Sequence, residues 1–302
     1  MTSAEHNRLN MSAGFLSVLV AFCLVLAKLW ALAATGALSV AATLADSALD
    51  LMMSLGGLIA IAYAAKPADE DHAFGHTSAE DLAALAQSIF IMVSAVAIAV
   101  AALVRLTGTP ETIDSEGAGI IVLVLSIVLT LGLVAWQRFV AQKTGNQVVA
   151  ADSLHYIGDL IPNIGAIIAL WANAQFGLHA LDSIIALVAA AIMFSGAIRI
   201  GKNAWDALMD RTLDPEMIKG IGEIAEGFDG VHGYHDLKTR RAGSRVFVNM
   251  HIELDGQQTL DQAHSIGAAL RRAIVAAYPN ADVLIHKDPV GVEPHPDDAR
   301  KR

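Results

Sequence analysis

The chain has 302 residues, of which 55% are hydrophobic and only 17% charged, with a mean hydropathy of +0.51. Soluble domains carry roughly a quarter charged residues, so a disordered chain, a collagen and a coiled coil are excluded, and Cys23 as the sole cysteine excludes a disulfide scaffold. The formal charge of −10 argues against a nucleic-acid partner, which needs a basic face.

In chain order, apolar runs cover about 13–34, 38–65, 82–104, 118–140, 147–172 and 179–200. Each is close to the roughly 20 residues that cross about 30 Å of hydrocarbon as a helix. The first is too long for a signal peptide and is followed by further spans. The second and fifth carry ionisable residues. Arg8, Lys66, Arg138, Lys143, Arg199 and Lys202 fall on the N-terminal tail, the 2–3 loop, the 4–5 loop and the end of the sixth span. The other side has Arg105 with Glu111, Asp114 and Glu116. The positive-inside rule then places both termini in the cytoplasm, as an even number of spans requires.

After about residue 203 no run is long and apolar enough to span, and charge becomes frequent. An acidic connector, WDALMDRTLDPE, leads to a helix from Pro215 to about Glu226, with proline suited to a first helical turn. Strands are expected over 231–239 and 245–254, joined by a turn at RRAGS. A helix over 259–278 has Thr259 as its N-cap, and a third strand covers 281–286. The tail, GVEPHPDDARKR, reads as unfolded. The expected architecture is an all-α transmembrane domain of six helices over 1–202, a small α/β (αββαβ) cytoplasmic domain over 203–290, and a flexible tail over 291–302.

The chemistry sits where hydrocarbon should be. In the second span, DSALD sets Asp46 and Asp50 four apart on one helix face; in the fifth, DSLHYIGD does the same for His155 and Asp159. Asp152 lies near that face one turn lower, and it and Asp182 also suit interface or capping roles near span ends. A bare charge at mid-membrane costs from about 2.5 kcal/mol upward. Two carboxylates at i,i+4 repel, and Lys28 neutralises one group at most. A divalent cation fits better: three carboxylates and one imidazole suit tetrahedral Zn2+, and similar ions such as Cd2+, Fe2+ or Mn2+ are also accepted. A proton relay without metal is the alternative for the Asp pair, and an interhelical hydrogen bond is the alternative for His155. Ligation requires deprotonated carboxylates and neutral imidazole, so the site holds either metal or protons, which is the basis of exchange. No GxxxxGK[ST] motif offers nucleotide as the drive, and no organic cofactor is implied. Gly56, Gly57, Gly158 and Gly165 allow close, sliding helix contact or simply ordinary packing.

The 2–3 loop reads PADEDHAFGHTSAED, with Asp69, His72 and His76 at ligand-like spacing if helical. Gly75 interrupts that regularity, leaving a loop site or a solvated acidic segment as the alternatives. Beyond the spans, His235 and His251 fall on adjacent strands, His264 on the helix, and His286 two residues before Asp288 at the end of the last strand. Together they read as one or two regulatory or structural metal sites; His232 and His295 are weaker candidates.

DSALD, HYIGD, PADEDHAFGH, HDLKTR, MHIEL and IHKDP together resemble the cation diffusion facilitators, most closely their bacterial zinc/ferrous-iron efflux branch, over about 12–290. The resemblance implies a metallochaperone-like cytoplasmic domain and a homodimer in the lipid bilayer that exports divalent metal in exchange for protons; a bacterial inner membrane is the expected location. It implies a transport site of Asp46, Asp50, His155 and Asp159, a loop site of Asp69, His72 and His76, and a cytoplasmic binuclear site of His235, His251, His264, His286 and Asp288 that helps join the protomers. Some relatives place a lysine two residues after the second loop histidine, paired with a junction aspartate that interlocks the dimer. Ser78 stands there in this chain, so Asp210 is expected to lack that partner, with apolar contacts near Leu208 and Leu213 holding the junction. A metal-gated channel and a membrane-anchored metal sensor share the same residues and are the competing functions; an enzyme is not expected.

Overall fold

The computed structural model describes residues 3–35, 38–107, 117–176 and 181–291. The loop acids Glu111, Asp114 and Glu116, the tail with His295, and the side chain of Asp182 lie outside the described residues. The chain divides into two compact units, one from His6 to Trp205 and the other beginning at Asp206.

Six long helices build the first unit: α1 (Ser3–Thr35), α2 (Leu38–Ala64), α3 (Ser78–Thr107), α4 (Gly117–Thr144), α5 (Gln147–Phe176) and α6 (Leu181–Leu208). Among the described residues, α1, α2, α3, α4 and α6 are long and apolar enough to cross a membrane. Helix α5 has 30 residues, a length of about 45 Å, but Asp152, His155 and Asp159 dilute its apolar character. Large apolar side chains point outward, among them Phe15, Met52, Ile59, Val93 and Val128, as a lipid-facing surface demands. The interior is lined by small residues, with Ala13, Ala84, Ala95, Ala151, Ala197 and Ala204 fully buried, so the backbones approach closely. Helix α5 packs against α2, α3 and α4, which puts its polar face inside the unit. Its start is fixed by Gly145 in the left-handed region (φ +69°) and by Asn146, whose Oδ1 accepts from the Val149 amide at 3.0 Å.

The second unit runs α7 (Pro215–Glu226), β1 (Gly233–Ala242), β2 (Arg245–Leu254), α8 (Leu260–Ala277) and β3 (Ala281–Pro289), the expected αββαβ order. Asp214 caps α7 by accepting from the Glu216 amide, with Pro215 in the first turn. Thr259 caps α8 in a capping box with Gln262. Strand β1 extends three residues further than expected because the turn is only Gly243 and Ser244, with Gly243 at φ +55°. Strand order is β1-β2-β3, the first pair antiparallel and the second parallel, with α8 as the crossover. Val246, Val248, Met250, Ile252 and Leu254 of β2 are buried against Ile221, Leu270 and Ile274 of the helices. Strand alternation therefore turns Asn249, His251 and Glu253 to the face the helices leave open.

Candidate metal centres

In the helical unit, α2 and α5 bring Asp50, His155 and Asp159 together, with one ligand atom from each inside a 4.8 Å group. His155 Nε2 lies 2.9 Å from Asp50 Oδ1 and 3.8 Å from Asp159 Oδ2. Both acids thus approach one ring nitrogen. The imidazole is buried between Phe90 and Tyr156. Asp46, one turn before Asp50, is exposed and outside this group. Lys28 of α1 donates from Nζ to Ser47 Oγ at 2.6 Å and to the Thr43 carbonyl at 3.0 Å, within Coulombic reach of Asp50, Asp159 and Asp46. Asp152 does not join the group; its Oδ2 accepts from Gln137 Nε2 of α4 at 2.6 Å. Deeper contacts link three hydroxyls across α1, α2 and α5: Ser17 Oγ donates to Ser54 Oγ at 2.8 Å, and Ser54 Oγ lies 3.0 Å from Tyr156 Oη.

Between α2 and α3, Asp69, His72 and His76 form a second group, built on a loop rather than a helix. Gly75 at φ +86° turns the chain back so that His76 meets Asp69. Asp69 Oδ1 accepts from the His72 amide at 2.7 Å and lies 3.3 Å from His72 Nδ1, while Oδ2 is 3.2 Å from His76 Nε2. The His72 backbone N–H, more than the two imidazoles, holds the Asp69 carboxyl below the usual carboxylate range. His76 is buried against the edge of Tyr63.

In the second unit the sheet register aligns three histidines. His235 pairs with His251, and His251 with His286, so one row of three strands carries three imidazoles on the open face. Ring centroids are 5.1 Å apart for the first pair and 4.5 Å for the second. Asp288, two residues beyond His286, is the hub: Oδ2 lies 2.8 Å from His251 Nδ1 and 3.5 Å from His235 Nε2, and Oδ1 lies 3.2 Å from His286 Nε2. His235, His251 and Asp288 each bring one ligand atom within 4.8 Å of the others. His264 does not; it is exposed on α8, in the helical layer on the other side of the sheet.

Two neighbours of this cluster escaped the sequence reading. Glu253 Oε1 is 3.2 Å from His235 Nδ1, and Asp236 Oδ2 is 4.0 Å from His251 Nε2. Glu253 was legible from the alternation of β2, two residues after His251. Asp236 was not, because it reaches the site only through a bulge between His235 and Lys238, where its φ is +47°. Asp210 is engaged within its own unit: its Oδ1 accepts from Arg240 Nη1 of β1 at 3.0 Å, and that guanidinium stacks 4.4 Å over the Phe247 ring.

A membrane-capable helical unit holding a buried carboxylate–imidazole group, joined to a small α/β domain with a histidine row, defines a metal-handling membrane protein. The family model for the cation efflux transmembrane domain matches residues 14–209, and that for the cation efflux protein cytoplasmic domain matches residues 213–290. The chain belongs to the cation efflux family: it is a multi-pass membrane transporter and not an enzyme. It is 40% identical over 290 residues to the cation-efflux pump FieF of Cronobacter sakazakii, covering 96% of each chain, and equally so to that of Serratia proteamaculans. Among solved structures, the metal-bound C-terminal domain of the CzcD transporter from Thermotoga maritima is 32% identical, covering 26% of this chain and 91% of that one, with a TM-score of 0.25. The match to the dimerisation-type cytoplasmic domain supports a homodimer.

Proposed function

We propose that this transporter exports Zn2+ from the cytoplasm in exchange for protons by alternating access, with Cd2+, Fe2+ and Mn2+ as competing ions. One observation carries the reading. Asp50 and Asp159 converge on the same nitrogen of a buried histidine. A proton on Nε2 and a metal on Nε2 use the same lone pair, so the site binds one or the other. Asp50, His155 and Asp159 are then ligands of the transport site. Asp46 completes the set in a rearranged state, swinging in from one turn away on the same face of α2. Imidazole with carboxylates suits zinc and its borderline neighbours better than a hard ion such as Mg2+.

Residues 1–202 form the transmembrane domain and 203–290 the cytoplasmic one, with 291–302 as its tail and both termini in the cytoplasm of a bacterial cell. Asp69, His72 and His76 bind metal at the loop. His235, His251, His286 and Asp288 hold a pair of regulatory ions, with each Asp288 oxygen facing a different histidine. His264, exposed on the outer side of α8, is left to serve a second copy of the chain.

The test is metal uptake into proteoliposomes under an imposed pH gradient, with Zn2+, Cd2+, Fe2+ and Mn2+ in parallel and Asp50→Ala as control. Gradient-driven uptake of Zn2+ that is lost in the variant is expected. Uptake indifferent to the gradient would make the protein a channel, and no uptake by folded protein would leave only a sensor.

A further inference from the structure

Near the α5 start, α1, α2, α4 and α5 enclose a small cavity lined by Ser54, Gly57, Gln137, Val148 and Asp152. Its polar side chains are all buried beyond nine-tenths: Ser54 at 1%, Gln137 at 0% and Asp152 at 7% exposure. Gln137 Nε2 donates to Asp152 Oδ2 at 2.6 Å. The other two atoms of that pairing, Gln137 Oε1 and Asp152 Oδ1, are both buried and have no hydrogen-bond partner. Both are acceptors. A carboxylate with an unmet oxygen in an apolar membrane interior is costly, and here an unmet amide oxygen adds to the cost. A single proton on Oδ1 removes the buried charge and turns one of the two unmet acceptors into a donor.

We propose that Asp152 is a second proton-binding residue of the transporter, separate from the metal ligands and positioned by Gln137. This rests on the exchange reading above. The groups acting on Asp152 are the Ser17 hydroxyl of α1, the Gln137 amide of α4, Asp50 of α2, and His155 and Tyr156 of its own helix. Ser17 Oγ commits its single proton to Ser54 Oγ at 2.8 Å. Asp50 and His155 belong to the metal site, so its state reaches Asp152 through space. A dication bound there disfavours the proton, which leaves Oδ1 for water; when the metal departs, Oδ1 takes a proton back. One proton is thus carried without competing for a ligand atom.

The test counts protons. Full-length protein in detergent is titrated with Zn2+ calorimetrically in buffers of different ionisation enthalpy. Asp152→Asn is uncharged and carries a donor, as a protonated acid does. The expected result is a Zn2+ Kd within about threefold of the parent and about one proton fewer released per chain. A parent-like proton count would overturn the proposal and leave the cavity as the seat of an ordered water bridging the two oxygens. Should Asp152→Asn not fold, infrared difference spectra of the parent and Gln137→Leu decide. A protonated-carboxyl band that metal removes, and whose frequency moves in Gln137→Leu, supports the assignment; a band indifferent to Gln137 overturns it. Proteoliposome uptake by the parent separates the two readings, because loss of gradient drive there refutes exchange itself, whereas the proton count refutes only the role of Asp152.

Discussion

Replacing Asp50 by Asn should weaken Zn2+ binding far more than replacing Asp46 by Asn. Asp50 Oδ1 lies 2.9 Å from His155 Nε2, within ligand-sharing reach, whereas Asp46 stands outside the 4.8 Å group. Losing a charged partner at such a distance costs about 1.5–3 kcal/mol, which corresponds to roughly 10- to 150-fold in affinity. Asp46 acts only through space in this state. A unit charge on a dication about 8 Å away in a water-like dielectric contributes about 1 kcal/mol, or roughly fivefold. Calorimetric Zn2+ titration of the full chain measures both, in a background of His76→Ala and His251→Ala that silences the loop and sheet clusters. Transport should be lost in both variants, since Asp46 is needed in the rearranged state. Equal affinity losses for the two would refute the argument and make Asp46 a ligand in the present arrangement.

Helix packing offers another prediction. A methyl group at Gly165 would press on the branched Cγ2 and Cβ of Ile185, while one at Gly158 meets the flexible end of Met193. Gly165→Ala should therefore destabilise by about 1–3 kcal/mol and Gly158→Ala by clearly less, read as thermal midpoints in detergent; the reverse order would show that Met193 is the stiffer wall. Thr259→Ala removes the capping box of α8 and should lower hydrogen-exchange protection of its first turn by about 1 kcal/mol, a loss that unchanged protection would disprove. The Asp69 carboxyl is held below its ordinary value by the His72 amide. That contribution to loop order is complete above the ordinary value of about 3.9 and disappears as pH falls through the lower, folded value. The His72 amide resonance should report a midpoint below 3.9, and a midpoint above it would remove the hydrogen bond as the cause.

The sequence exposed most of the fold because its signals were local. Apolar runs marked the long helices, and Pro215 and Thr259 marked the starts of α7 and α8 to the residue. The i,i+4 pairing of His155 and Asp159 likewise needed only helix geometry. What stayed hidden depends on contacts between distant segments. That Asp50 and not Asp46 meets His155 follows from the relative rotation of α2 and α5, which no local pattern encodes. Asp152 sits one turn from His155 and was grouped near the same face, yet it turns to Gln137 of α4. The alignment of His235, His251 and His286 requires the register of two strand pairs and a bulge. Arg240 as the partner of Asp210 depends on β1 running on past its expected end.

The histidine row lies across the sheet from the hydrophobic core. Val248, Met250 and Ile252 hold the helices on one side, while His251 and the outward residues of β3 occupy the other. Folding and ligand choice are thus written on alternate letters of the same strands. Mutations among the exposed letters, His286 above all, can retune what the surface binds without disturbing the packed ones. If the row binds metal as proposed, a lineage can in this way change the ion it selects while keeping the packed side of the sheet intact.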